Sequence, residues 1–293
     1  MKLNCRNLID VRQTTEYARF MTETGWQVKT VNKINIFIKR LPFLPFSVLK
    51  VLRFPNPNNK NFMNRVKKIS KKNWVLITKF QPLMISKSPK KNFKSSKLKE
   101  DKNPLIPTKT IWLNLYKNNS YLLKQMSSKT RYNIRLAQKK KVKTIIIPGN
   151  KIKPQTLNDF YQLWKKNRPF NWLFKPSFKN LQVLVKDFGK KCFFVLASNN
   201  ELIAGALILT SKNMASYWHN CSNKQGKKLF APTLIMWRVI KEAKKRGLRI
   251  FDFEGIYDSR FHQSTKNWQG FSKFKKGFGG KELFFSKPFR DSF

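Results

Sequence analysis

Acidic and histidine side chains are scarce in this sequence. Of 293 residues only 14 are Asp or Glu and two are His, whereas 62 are Lys or Arg, so the formal net charge is +48. Catalysis by side chains needs nucleophiles and acid/base groups within reach of one another, and here their supply is small. Neither His219 nor His262 has a neighbour at metal-ligand spacing, so the sequence predicts no zinc site and no resident cofactor.

Cysteines and long apolar runs are also few. Cys5, Cys192 and Cys221 form neither a disulfide framework nor a CxxC pair, which predicts reduced thiols in a cytoplasmic protein. The first twenty residues contain no apolar core of signal-peptide length. No apolar run approaches the roughly 20 residues that span a bilayer. We therefore expect a cytoplasmic chain that does not cross a membrane.

Three common nucleotide and hydrolase signatures are missing. The sequence contains no GxSxG, no GxxxxGKS and no GxGxxG. Their absence argues against a serine hydrolase, a P-loop NTPase and a dinucleotide-binding enzyme.

The residues that are present indicate a folded, basic protein. Hydrophobic residues make up 41% of the chain and include 26 Phe, a composition that disordered chains lack. The excess of positive charge is typical of a protein that binds nucleic acid or anionic lipid, but it also fits a solvated surface with no ligand. The segment Leu41–Leu52, LPFLPFSVLKVL, is apolar enough to touch a membrane surface.

Hydrophobic periodicity predicts an α/β protein in which the order of strands, helix and strand occurs twice. We expect a duplicated unit, with domains at 1–125 and 126–293 and an exposed basic insertion at about 86–109. A buried-type strand is expected at Val142–Ile147, and a hairpin turn at Ser-Asn-Asn-Glu before Leu202. Predicted helices cover about 13–24, 59–70, 154–166, 177–188 and 230–246, with two shorter pieces in 121–141.

Two segments near the C-terminus concentrate chemistry. Asp252, Glu254 and Asp258 are three of the 14 acidic residues within seven positions, which fits either active groups at a strand end or structural ion pairs. The segment GFSKFKKGFGG at 270–280 places lysines beside flexible glycines. That pattern indicates an anion-binding loop or a turn between a helix and the following strand.

Several stretches resemble the Fem-type, peptidoglycan bridge-forming aminoacyltransferases. The resemblance runs nearly end to end, and its most specific part is FSKFKKGFGGKELFF at Phe271–Phe285. The other parts are VRQTTEYARFMTETGW near the start, MSSKTRYNIRLAQKKKV at Met126–Val142 and LFAPTLIMWRVIKEAKKRGLRIFDFEGI at Leu229–Ile256. The resemblance implies two tandem GNAT-like acyltransferase domains, each with a mixed central sheet flanked by helices.

What the resemblance implies for function is transfer of an amino acid from aminoacyl-tRNA to an amine of a peptidoglycan precursor. The expected partners are aminoacyl-tRNA and a lipid-linked or nucleotide-linked stem peptide, with peripheral contact to an anionic membrane. Both substrates are polyanionic, which agrees with the basic composition. Because the acceptor amine is itself the nucleophile, the absence of a catalytic triad agrees with this chemistry.

The family's FKxxFGG pattern places its Phe-Lys pair at the active site, which corresponds to Phe274 and Lys275 here. We expect Lys275 to stabilise the developing oxyanion or the terminal nucleotide of the tRNA, and Asp252 to orient or deprotonate the amine. The expected substrate- and phosphate-binding residues are Lys129, Arg131, Arg135, Gln225, Gly226, Lys276 and Gly279.

Two departures from related patterns matter. No sustained heptad run is present, so the long coiled-coil arm of larger family members is expected to be missing. The segment SNKQGKKLFAP at Ser222–Pro232 keeps only Gln225 and Gly226 of the Q-x-x-G-x-G/A pattern that binds coenzyme A in GNAT enzymes. An aminoacyl-tRNA donor is therefore favoured over acyl-CoA. Two alternatives stay open: a GNAT-type N-acyltransferase that uses acyl-CoA, and a non-catalytic RNA- or membrane-binding protein.

Overall fold

The chain forms two compact units in a computed structural model that describes residues 8–55, 57–86, 98–167 and 177–292. The first unit takes the described residues of 1–111, 255–272 and 282–293. The second takes those of 112–254 and 273–281. This division differs from the predicted domains 1–125 and 126–293, because two segments near the C-terminus belong to the first unit.

The first unit is built on a six-stranded mixed sheet. Its strands are β1 (Gln27–Val31), β2 (Ile34–Arg40), β3 (Ser47–Phe54), β4 (Val75–Pro82), β6 (Lys99–Glu100) and β14 (Phe289–Ser292). Its helices include α1 (Thr15–Glu23), α2 (Lys60–Lys72) and α9 (His262–Thr265). The strand order is β1-β2-β3-β4-β14-β6, with β3 and β4 parallel and the other neighbours antiparallel. A short antiparallel pair, β5 (Ile85–Ser86) with β13 (Lys281–Phe285), completes its strands.

The core of the first unit lies between this sheet and α2. Asn59 caps the helix, since its side-chain oxygen accepts a hydrogen bond from the backbone of Phe62 at 3.0 Å. Phe62 and Val66 on the inner face of α2 pack against alternate strand residues such as Leu49 and Val51. Each such side chain contributes about 1.5–3 kcal/mol when it is fully buried.

The second unit contains a sheet with the strand order β7-β12-β11-β10-β9-β8. These strands are β7 (Lys109–Asn114), which begins in the first unit, β8 (Lys143–Pro148), β9 (Cys192–Asn199), β10 (Glu201–Thr210), β11 (Met214–Ser222) and β12 (Ile250–Asp252). Its helices are α3 (Asn119–Lys124), α4 (Ser128–Lys139), α5 (Pro154–Lys166), α6 (Phe178–Phe188), α7 (Lys224–Lys228) and α8 (Ala231–Lys245). A further helix, α10 (Gln269–Lys276), begins in the first unit and ends in the second.

The two units share one topology. Each has three antiparallel strands, then a helix, then a strand parallel to the third: β1-β2-β3-α2-β4 in one and β9-β10-β11-α8-β12 in the other. This repeat is the duplicated unit that the sequence predicts. In the described residues the longest helix is α8, with 15 residues, so that part of the chain contains no coiled-coil arm.

The larger predicted helices lie within two residues of their expected bounds, but one predicted strand needs correction. The strand expected to be buried at Val142–Ile147 is the edge strand β8, and its Ile145 is 54% exposed. Only the turn 41–46 of Leu41–Leu52 lies outside the sheet, because the remainder belongs to β3. In the expected insertion, residues 87–97 lie outside the described residues, and Lys99–Glu100 form β6.

Asp258 holds a buried ion pair in the first unit. Its Oδ2 accepts hydrogen bonds from Thr108 Oγ1 at 2.7 Å and from Arg260 Nη2 at 2.8 Å, and the residue is fully buried. Burial raises the pKa of this carboxyl, but the hydrogen bonds from Arg260 and Thr108 outweigh it, and the net pKa lies below the ordinary value. Asp258 is therefore held in a structural ion pair with Arg260.

Candidate functional site

The candidate site lies in the second unit, where β11 and β12 separate. These parallel strands pair only from Met214↔Ile250 to Ser216↔Asp252, after which β11 continues to Ser222 and β12 ends. Asp252 is therefore the last residue of its strand. The diverging carboxyl ends of parallel strands are where α/β sheets place ligands.

In the described part of the first unit the equivalent strands do not separate in this way. Its equivalent parallel strands, β3 and β4, stay paired from Ser47↔Val75 to Phe54↔Pro82. Near the end of β4 the buried side chain of Gln81 accepts hydrogen bonds from the backbone of Leu105 and Ile106 and donates one to Ile106 O at 2.9 Å. Its polar atoms are thus used within the fold, so the chemistry is expected in the second unit.

Lys275 is the central cation of this site. It lies on the last turn of α10, only 7% exposed, with Nζ 5.9 Å from the ring centroid of Tyr217. Burial lowers the pKa of Lys275 to about 8, while the carboxylates of Glu254 and Asp252 act in the opposite direction. The side chain is therefore charged at neutral pH but loses its proton in a weakly basic solution.

Asp252 shapes the backbone next to this lysine. The residue is 3% exposed, and its Oδ1 accepts a hydrogen bond from the Glu254 N–H at 2.7 Å. Glu254 has φ +57°, a left-handed conformation that costs a non-glycine residue on the order of 1 kcal/mol or more. Strained backbone of this kind concentrates at functional sites, so the turn from Asp252 to Glu254 supports placing the candidate site here.

Two buried polar atoms beside Asp252 have no hydrogen-bond partner among the described residues. They are Ser216 Oγ on β11 and Trp112 Nε1 on β7. Both residues pair directly with Asp252 across the sheet, so the three side chains share one face. Together they offer two donors and a carboxylate to a polar substrate group. Neither residue was predicted from the sequence, although a serine in the apolar strand MASYW was a signal.

Tyr217 and a cluster of phenylalanines form the apolar surroundings of the site. Burial raises the pKa of the Tyr217 phenol above its ordinary value, so it remains a neutral hydroxyl. Phe278 is fully buried, with its ring centroid 6.1 Å from that of Phe253 and 5.2 Å from that of Phe274. The Phe274 side chain therefore helps to anchor the helix end that carries Lys275.

The segment that follows Lys275 is a packed turn between α10 and β13. Gly277 O accepts a hydrogen bond from Ser127 N at 2.9 Å, and a Cβ on Gly277 would lie 2.5 Å from Thr130 Oγ1. Gly279 has φ +80° and closely approaches Gln125. The turn between a helix and the following strand is confirmed, and its backbone is held against the α3–α4 junction. Anion binding by this segment stays a prediction.

The predicted phosphate-binding residues are spread over the unit. Lys129 and Arg135 are exposed on α4, and Lys276 is exposed at the end of α10. Arg131 donates hydrogen bonds to Met126 O and to Ser128 Oγ, so its guanidinium also holds the start of α4.

Gln225 and Gly226 lie in the short helix α7. Gln225 is exposed, whereas Gly226 is buried and its N–H donates to Asn223 Oδ1 at 2.7 Å. A Cβ on Gly226 would lie 2.3 Å from Ile203 O. Glycine is required here for packing, and its amide is already used as a helix cap.

Replacing Gly279 with Ala is expected to lower the free energy of unfolding by about 2 kcal/mol. The substitution forces a side chain into a left-handed conformation and to within 2.9 Å of Gln125 Cβ. Urea denaturation measures the effect. Gly270→Ala is the matched control, since a Cβ there meets nothing within 4 Å and Ala favours the helix. Equal stability of the two variants would contradict the packed turn.

Residues 197–283 match the FemAB family. This segment contains Tyr217, Asp252 and Lys275, and it confirms over that range the resemblance seen in the sequence. No curated protein matches the chain.

Solved structures of other proteins share the fold, among them the three that follow. The structure described as FemX is 15% identical, covers 97% of this chain and 92% of its own, and has a TM-score of 0.74. The C-terminal domain of a putative lysylphosphatidylglycerol synthetase from Agrobacterium fabrum is 12% identical, with coverages of 95% and 87% and a TM-score of 0.63. A tandem GNAT protein from the clavulanic acid biosynthesis pathway is 8% identical, with coverages of 88% and 78% and a TM-score of 0.53. The expected fold class of tandem GNAT-like domains is confirmed.

Proposed function

We propose that this protein is an aminoacyltransferase that moves an amino acid from aminoacyl-tRNA to an amine of a peptidoglycan precursor stem peptide. The observation that carries the proposal is the buried Lys275, held with Asp252 and Glu254 where β11 and β12 diverge. This cluster lies within the segment that matches the FemAB family.

The reaction needs charge stabilisation more than a nucleophilic side chain. The acceptor amine attacks the ester carbonyl of aminoacyl-tRNA, a C–N bond forms, and the ester C–O bond breaks. The amine loses a proton, and the ribose oxygen that leaves takes one up. A buried ammonium group stabilises the oxyanion that develops between these events, and Lys275 supplies one at neutral pH.

Asp252 has the position to serve the acceptor side of this reaction. Asp252 pairs across the sheet with Ser216 on one side and with Trp112 on the other, so its side chain shares a face with the unpaired Ser216 Oγ and Trp112 Nε1. A carboxylate in this array orients the amine and accepts its proton. The +48 charge of the chain attracts both polyanionic substrates.

The arrangement around α7 disfavours acyl-CoA as the donor. GNAT enzymes bind the pyrophosphate of coenzyme A through free backbone amides, whereas the Gly226 amide is bonded to Asn223. The lysylphosphatidylglycerol synthetase domain among the similar structures adds a second acceptor to test, a lipid headgroup hydroxyl.

The test is transfer of radiolabelled amino acids from a mixed pool of aminoacyl-tRNAs by the purified protein. Lipid-linked and nucleotide-linked precursors are offered separately, with phosphatidylglycerol and acetyl-CoA reactions in parallel. We expect label to appear in one of the precursors, and the labelled amino acid that appears there is the one transferred. Label only in phosphatidylglycerol would show that the acceptor is a lipid headgroup and not a stem peptide. The protein would instead be a non-catalytic binding protein if it transfers no label and binds RNA with a steep salt dependence, with equal affinity for aminoacylated and free tRNA.

A further inference from the structure

The strand ends along one side of the first unit's sheet carry an unusual set of exposed apolar side chains. Strand β2 ends there, β3 and β4 begin there, and Trp26 lies there just before β1. The turn 41–46 is closed by a hydrogen bond from Leu41 N to Phe46 O at 2.9 Å. Trp74 adjoins this turn, because its carbonyl accepts from Ser47 N at 2.9 Å. We call this group the sheet-edge surface.

The sheet-edge surface exposes large hydrophobic groups. Phe43 is fully exposed, Trp74 is 65% exposed and Leu44 is 48% exposed, with Leu76 on the adjoining strand. The rings of Trp74 and Phe46 lie 6.4 Å apart, so Trp74 adjoins the turn that carries Phe43 and Leu44. Contiguous patches of this kind mark interaction sites with proteins or membranes.

Two of the exposed aromatic residues, Phe43 and Trp74, also have a strained backbone, and packing within the folded chain does not explain this strain. Phe43 has φ +61° and Trp74 has φ +51°, conformations that bulky side chains adopt rarely and at a cost. Trp74 follows the end of α2, at a position where glycine is the usual residue. Within the folded chain the fully exposed Phe43 ring gains no burial that would offset this cost.

Positive charge surrounds the patch. Arg40, Lys71 and Lys72 are exposed beside it, and no Asp or Glu occurs between Glu23 and Glu100. Lys50 Nζ lies 3.7 Å from the ring centroid of Trp26, and Lys39 Nζ lies 5.5 Å from the same ring.

The lysines over Trp26 are crowded. Burial, followed by the charges of Lys39 and Arg12, lowers the pKa of Lys50 to about 8. An anion placed against these groups would relieve their mutual repulsion.

We propose that the sheet-edge surface docks on a bilayer that contains anionic lipid. Phe43, Leu44 and Trp74 enter the boundary between headgroups and acyl chains, where aromatic and aliphatic side chains are favoured. The surrounding Lys and Arg contact lipid phosphates, which strengthens binding to an anionic surface.

A membrane fits this surface better than RNA does. Single-stranded RNA uses aromatic rings for base stacking, but it gives no role to exposed aliphatic groups such as Leu44 and Leu76. A bilayer buries both kinds of side chain. No helix in the described residues is long and apolar enough to cross a membrane, so the contact proposed is peripheral.

The test is flotation of the purified full chain with phosphatidylcholine vesicles that contain or lack phosphatidylglycerol. Wild type is expected to bind the anionic vesicles, and the double variant Phe43→Ser/Leu44→Ser to bind them at least about tenfold more weakly. The matched control is Tyr132→Ser/Ile145→Ser, which removes one aromatic and one aliphatic side chain exposed in the second unit. Its binding is expected to equal that of wild type.

Three results would overturn the proposal. They are no vesicle binding by wild type, equal binding by the Phe43/Leu44 variant, and an equal loss in both double variants. A single-stranded RNA oligonucleotide is titrated in parallel. If the Phe43/Leu44 variant loses affinity for this RNA but not for the vesicles, the surface binds RNA instead. The assay contains no tRNA and no precursor, so its outcome is separate from that of the proposed transferase activity.

Discussion

Replacing Lys275 with Ala is expected to lower kcat for amino acid transfer by about 10²- to 10³-fold, the usual cost of removing a donor to a developing oxyanion. The affinity for aminoacyl-tRNA is expected to change far less, because the buried ammonium group acts mainly when negative charge develops on the ester oxygen. Single-turnover transfer and a separate tRNA-binding titration measure the two quantities. Lys275→Met keeps an apolar stem at this position and is expected to behave in the same way.

The matched control is Lys273→Ala on the same helix. Lys273 is exposed, whereas Lys275 is 7% exposed, so the control removes a similar charge without touching the buried cluster. Its transfer rate is expected to equal that of wild type. Unchanged turnover in folded Lys275→Ala, or equal losses in both variants, would remove Lys275 from the mechanism.

The proposed role of Lys275 also predicts how the transfer rate depends on pH. Since burial lowers the pKa of Lys275 to about 8, the ammonium group is lost as the pH rises through that value. The pH profile of kcat/KM for wild type is therefore expected to fall on its alkaline side near pH 8. The residual activity of Lys275→Ala should lack this decline. A decline that persists in the variant would belong to another group.

Asp258→Asn is expected to reduce the free energy of unfolding by about 3–5 kcal/mol. The substitution leaves the Arg260 guanidinium, 9% exposed, without the carboxylate that accepts its hydrogen bonds. An asparagine amide also presents a second donor toward Thr108 Oγ1, which now donates to Asp258 at 2.7 Å. Urea denaturation, followed by a spectroscopic signal from the first unit, measures the loss of free energy of unfolding.

The pH dependence and a control test the same ion pair. Because the folded pKa of Asp258 lies below its ordinary value, its stabilising effect is present above that value and is lost as the pH falls through the folded pKa. Asp258→Asn should remove this acid-sensitive part of the stability. Glu282→Gln is the matched control: its pair with Lys109 is 2.6 Å long but Glu282 is 37% exposed, so the expected loss is below about 1 kcal/mol. A similar loss in both variants would contradict the buried ion pair.

Local sequence signals predicted most of the secondary structure. Asn59 and Ser127 cap α2 and α4, and the hairpin turn at Asn200 has φ +67° where the Asn-Asn pair was expected to turn. Such signals act over a few residues, so one sequence is enough to locate them. The exposed edge strand β8 was misjudged, because an apolar run alone does not show on which side of a strand its neighbours lie.

The residues that surround Lys275 could be predicted only in part. The Phe-Lys-x-x-Phe-Gly-Gly pattern identified Lys275, and the scarcity of acids drew attention to Asp252. Ser216 and Trp112 were missed because they adjoin Asp252 only through the pairing of β11, β12 and β7, which brings distant segments together.

By itself the sequence determined the basic character of the chain, the repeated α/β order and the family resemblance, since composition and short-range patterns are sufficient for these. Only the tertiary structure decided that Lys275 is buried on the last turn of α10, that Asp258 is held in a buried ion pair with Arg260, and that Phe43 and Trp74 are exposed. The physical reason is that burial, ion pairing and exposure depend on neighbours far away along the chain. A lysine in an unfolded chain has its ordinary pKa, whereas Lys275 has a lowered one because burial in the folded chain disfavours its charged form.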